Sequence, residues 1–107
     1  VYTNERRPLM FAILSSPENM QKVEALRTAH LQSTEGGGDS QIAVVWLSYN
    51  VHGNESVSTE ASMLTLYDLL TSKKAYLENT LVNIDPCINP DGRERYVNWY
   101  YQYKNTP

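Results

Sequence analysis

Two apolar runs of strand length, Ile42-Ala43-Val44-Val45-Trp46-Leu47 and Leu81-Val82-Asn83-Ile84, each lead into a polar, turn-forming tetrad, and one helix-length segment separates them. That alternation restricts the fold more than any other feature of the chain. Strands that alternate with amphipathic helices stack in layers about a sheet, and ligands of such folds sit outside the strand ends. The expected class is α/β, a layered α/β/α arrangement around a mostly parallel or mixed sheet. Both tetrads, His52-Gly53-Asn54-Glu55 and Asn89-Pro90-Asp91-Gly92, fall at such ends.

The remaining elements fit the same pattern. Pro8 to Ser15 is nearly continuous in apolar residues and suits a strand buried on both faces. Ser16-Pro17-Glu18 opens a helix, because serine caps, proline is pre-set for the first helical position and an acid suits the positive end. Met20, Val23, Leu26 and His30 trace its stripe to about Leu31. Thr34 to Ser40, with three glycines, reads as a loop; no strand leads into it and no lysine follows it, as a phosphate-binding loop requires. Gln41 to Tyr49 is the second strand and Ser56 to Ser72 the second helix, with Met63, Leu66, Tyr67 and Leu70 expected to face the sheet. Lys73 and Lys74 complement that helix's dipole. Thr80 to Ile88 is the third strand, and Asp91 with Glu94 resembles a capping pair for a further helix.

The first tetrad carries the chemistry. An imidazole and a carboxylate three residues apart at a strand-to-helix corner can turn to one point. Zn²⁺ takes such donors at roughly 2.0–2.2 Å, and catalytic zinc commonly keeps three protein ligands and one position for water. His52 and Glu55 are the candidate metal ligands, with Gly53 allowing the bend between them. Read structurally, His52 is a loop histidine, Glu55 a first-turn acid, and Asn-Pro and Asp-Gly are turn dipeptides.

Together the two tetrads and the helix between them resemble the start of the catalytic domain of the zinc carboxypeptidase family, the carboxypeptidase A-like metallopeptidases. The resemblance runs from about Arg7 to Tyr103, with its specific part between Val45 and Gly92. His-Gly-Asn-Glu is shared with aspartoacylases and succinylglutamate desuccinylases; Asn-Pro-Asp-Gly points to peptidases. The resemblance implies a single zinc ion, a peptide or protein substrate and a secreted or periplasmic setting. It also implies a third histidine ligand and a glutamate general base, both expected beyond residue 107. His30 belongs to the first helix, and Arg93, Arg95 and Lys104 do not align with the family's oxyanion-stabilising arginine. Residues 1–107 thus read as one partial domain, the N-terminal portion of a catalytic domain and inactive by itself. The alternatives are an N-acyl amino acid deacylase using the same two ligands and a non-catalytic domain that keeps only the fold.

Composition closes other routes. A formal charge of -3 gives no basic patch for nucleic acid. No run approaches the roughly 20 apolar residues of a membrane span, and no membrane partner is expected. Val1 to Arg7 has no signal-peptide core, so any targeting segment of the parent is expected outside these residues. The lone cysteine, Cys87, has no partner for an internal disulfide. Tyr96, Trp99, Tyr100, Tyr101 and Tyr103 crowd into one short segment, an aromatic surface suited to packing or self-association.

Overall fold

The computed structural model describes residues 1–106. Three strands form one mixed sheet in the order β1 (Ala12–Leu14), β3 (Thr80–Asp85), β2 (Ala43–Ser48). β1 runs antiparallel to β3, and β2 runs parallel to it with Val44 opposite Leu81 and Leu47 opposite Ile84. The expected pairing of the two apolar runs is therefore present. The helices are α1 (Pro17–Gln21), α2 (Val23–Thr34), α3 (Val57–Leu70) and α4 (Pro90–Tyr103), with a 3-10 turn at Lys74–Leu77. A parallel pair needs a crossover, and α3 with the 3-10 turn provides it.

The core lies on one face of the sheet. Alternation along the strands sends Leu14, Val82 and Ile84 to the side where Leu69 and Leu77 close over them. Ile84, at the centre, is 2% exposed. The helix turns a different face to this core from the one its apolar spacing predicts. Ser62 and Leu69 are buried and Leu66 packs against the cluster, whereas Met63, Tyr67 and Leu70 are exposed. Ser62 lies four residues before Leu66 and seven before Leu69, on the same helical face, and its hydroxyl is satisfied by the Thr59 carbonyl at 2.6 Å. Hydrophobicity alone does not register a serine as a packing residue. Tyr49 adds to the seam by bonding Thr65 Oγ1 at 3.0 Å.

The opposite face is open. Trp46 is 73% exposed, and Met10, Phe11 and Ile13 also reach solvent. A cavity of about 620 Å³ runs along this side between the sheet and α2, lined by Ile13, Val44, Trp46, His30 and Asp85 among others. Burial raises the Asp85 carboxyl above the usual range, opposed by the backbone N–H of Cys87. The two-sided burial expected for Pro8 to Ser15 is thus replaced by a three-residue strand covered on one side. The continuous apolar run does not reveal which face finds a partner, because that depends on what packs there. α2 buries none of its residues and separates from α1 at Lys22, where the expected single helix breaks. Asn19, on α1, is buried instead. Its amide donates to Ser15 Oγ at 3.0 Å and to the Glu78 carbonyl at 3.0 Å, tying α1 to the end of the 3-10 turn.

Residues 86–89 leave the sheet, so the third strand ends at Asp85, three residues before the expected limit. Pro86 cannot donate to a ladder. The helix that follows is capped by Asn89, whose side chain accepts from the Gly92 N–H, with Pro90 in the first turn. Asp91, the expected cap, faces an N-terminal hairpin in which the Thr3 N–H donates to the Arg7 carbonyl at 2.9 Å and Tyr2 bridges Pro8 antiparallel. It accepts from Thr3 Oγ1 at 2.8 Å and Arg7 Nη1 at 2.9 Å. Partial burial pushes the Asp91 carboxyl up, but these bonds and the Glu5 N–H outweigh it and hold it below the usual range. Farther along α4 the aromatics meet one another, Tyr96 to Trp99 at 5.9 Å and Trp99 to Tyr103 at 6.1 Å, with Tyr96 half-buried and Trp99 and Tyr103 exposed. Among the described residues no helix is long and apolar enough to cross a membrane.

Candidate metal centre

Because β2 and β3 are parallel, their C-terminal ends share one edge, and both tetrads emerge there. The Tyr49 N–H donates to the Asp85 carbonyl at 3.0 Å and the Ile88 N–H to the Tyr49 carbonyl at 3.1 Å, which carries the pairing past the strands. The chain then turns at Asn50, a buried residue with φ +56°. Asparagine tolerates this left-handed conformation better than most residues.

Gly53 has no positive φ. The bend that the sequence assigns to Gly53 is made at Asn50, and glycine is required at 53 for space. A Cβ built on Gly53 lies 2.2 Å from the Gly92 carbonyl oxygen and 2.4 Å from its carbon. The two tetrads are therefore in backbone contact through their glycines.

His52 and Glu55 point to one place. His52 Nδ1 is 2.8 Å from Glu55 Oε1, and the other carboxylate oxygen accepts the His52 N–H at 3.0 Å. Their side chains are 72% and 44% exposed, so the pair opens to solvent. The hydrogen bond from the His52 ring, followed by that from its backbone N–H, holds the Glu55 carboxyl below the ordinary glutamate range. A depressed folded-state value means that the contact stabilises above the unfolded value and is lost as pH falls through the folded one. At an exposed site that contribution is small. A carboxyl-carbon NMR titration is expected to show the Glu55 midpoint below the ordinary glutamate range, and His52→Ala, which removes the ring bond but keeps the backbone one, is expected to raise it toward that range. An unchanged midpoint in that variant would show that the contact is absent in solution.

The donor types suit zinc: one imidazole nitrogen and one carboxylate oxygen, accessible and adjacent. Two ligands about 2.1 Å from a tetrahedral ion stand roughly 3.4 Å apart, so a small opening of the present hydrogen bond would admit one. Among the described residues no group of three His, Cys, Asp or Glu side chains is placed to hold a metal. His30 lies on α2 beside the cavity of the open face. Arg93 is engaged by Glu60 at 2.7 Å, Arg95 by Glu5, and Lys104 lies over the Tyr101 ring at 4.4 Å. Sequence reasoning singled out both candidate ligands; it left Asn89 as a turn residue, although its side chain reaches back to the Val51 carbonyl at 3.0 Å. The Asn-Pro pair at a helix start was the only signal that pointed to it.

The fold and the site together define an α/β protein with an imidazole–carboxylate pair at the C-terminal edge of parallel strands. The family model for zinc carboxypeptidases matches residues 2–106, and the chain belongs to that family. Searches of curated proteins and of solved structures gave no match.

Proposed function

We propose that the parent protein is a zinc-dependent carboxypeptidase in which His52 and Glu55 are two of the protein ligands of one zinc ion. The observation that carries this reading is the convergence of His52 Nδ1 and Glu55 Oε1 at 2.8 Å in a chain of the zinc carboxypeptidase family. Bound zinc supplies a Lewis acid that lowers the pKa of a coordinated water to about 7. The chain's own residues hold the pair in place. The parallel strands set the edge, Asn50 turns the loop outward, and Glu55 accepts the His52 N–H and so fixes the turn between them. In this reading the third ligand, the general base and the groups that hold the substrate carboxylate come from residues beyond 107. The family match over residues 2–106 favours a peptide substrate over an N-acyl amino acid.

Isothermal titration with zinc, paired with a carboxypeptidase assay on blocked dipeptides, tests the assignment. Two ligands leave the ion largely in water, so the 107-residue chain is expected to bind zinc weakly. His52→Ala and Glu55→Ala are each expected to weaken binding by about tenfold or more, and no turnover is expected. Equal zinc affinity in both variants would remove the two residues from the site. Tight binding with turnover would show that the chain completes its own centre.

A further inference from the structure

Asn89 bonds in two directions. Its Oδ1 accepts the Gly92 N–H at 2.9 Å and caps α4, while its Nδ2 donates to the Val51 carbonyl at 3.0 Å. The first bond fixes the plane of the carboxamide, and the second is then aimed at a peptide thirty-eight residues away. That peptide is the one joining Val51 to His52. Its N–H is held by Glu55 Oε2 at 3.0 Å, so one planar unit is gripped at its carbonyl by Asn89 and at its N–H by Glu55. The orientation of that plane sets the direction in which the His52 side chain departs. No other side chain among the described residues reaches Val51–Glu55 by a hydrogen bond from outside residues 50–58.

We propose that Asn89 is a positioning residue for the His52–Glu55 pair, fastening the Val51–His52 peptide to the start of α4. Its consequence for zinc rests on the metal-binding reading above; the fastening itself does not. The residue type supports the assignment. Serine, aspartate and asparagine cap a helix about equally well, but of the three only asparagine offers an amide donor beside its acceptor. Capping alone leaves that donor without a purpose.

Asn89→Ser in the full 107-residue chain separates the two roles, because serine keeps a capping oxygen and is too short to reach the Val51 carbonyl. Thermal unfolding by circular dichroism is expected to stay close to wild type. Exchange of the His52 and Glu55 amides, followed by NMR, is expected to become about five- to tenfold faster, as for the loss of one hydrogen bond. The zinc concentration that half-shifts the His52 imidazole resonances is expected to rise by about tenfold, as when a ligand's support is removed. Should Asn89→Ser fold poorly, Asn89→Asp retains the cap with a charge favoured at the helix start, and the same faster exchange is expected. Wild-type exchange in a folded capped variant would overturn the proposal and leave Asn89 as a cap only. A wild-type chain whose His52 resonances ignore zinc would remove the metal reading, whereas faster exchange in Asn89→Ser would still uphold the fastening.

Discussion

Alanine at position 53 is expected to destabilise the chain by about 3 kcal/mol, at the upper end of what overpacking costs. The new Cβ would lie 2.2 Å from the Gly92 carbonyl oxygen, and backbone on both sides of the contact leaves no rotamer to turn away. Relief requires either the His52 loop to lift or the start of α4 to shift. Lifting the loop would stretch the Asn89 bond to Val51; shifting α4 would disturb the bonds that Asp91 makes to the N-terminal hairpin. Urea unfolding monitored by tryptophan fluorescence and far-ultraviolet circular dichroism gives the free-energy change. A change within about 0.5 kcal/mol, the range of an ordinary surface substitution, would show that the two tetrads do not touch in solution.

The second large effect belongs to the central strand. Ile84→Ala is expected to cost about 3–4 kcal/mol, since it removes buried methyl groups from a cluster with Leu14, Leu69, Leu77 and Val82 that cannot collapse fully around the gap. A small domain with a total stability of about 5–10 kcal/mol would lose much of it. Trp46→Ala, although it removes a larger side chain, is expected to cost less than about 1 kcal/mol because that indole is mostly in water. The pair of variants reads out which face of the sheet holds the chain together. Equal costs would mean that the open face is covered in solution.

Much of the architecture was legible in the residues. Alternating apolar runs and helix-length segments pointed to adjacent strands in one parallel or mixed sheet, because strands and helices differ in period and length whatever surrounds them; β2 and β3 are such a pair. The cap at Ser16 was legible too, and its side chain accepts from the Asn19 N–H at 3.2 Å. The candidate ligands followed from chemistry: imidazole and carboxylate three residues apart at a strand end are few in kind and short in spacing. These are local properties, set by the backbone and by the donor atoms that a residue carries.

What the sequence by itself determined, then, is the alternation of strands with helical segments and the candidate pair His52–Glu55; what only the tertiary structure decided is which surfaces meet. α3 buries Ser62 rather than Met63, because Ser62 shares the helical face that Leu66 and Leu69 turn to the core. Gly53 is explained by the Gly92 backbone across a gap of thirty-nine residues, and Asn89 by a carbonyl thirty-eight residues upstream. Trp46 stands in solvent on a strand that reads as core because α2 flanks that face across a cavity, whereas the other face is closed by Leu69 and Leu77. In each case the deciding partner is distant along the chain, and a residue's own chemistry states what it can bond but not what folding brings beside it.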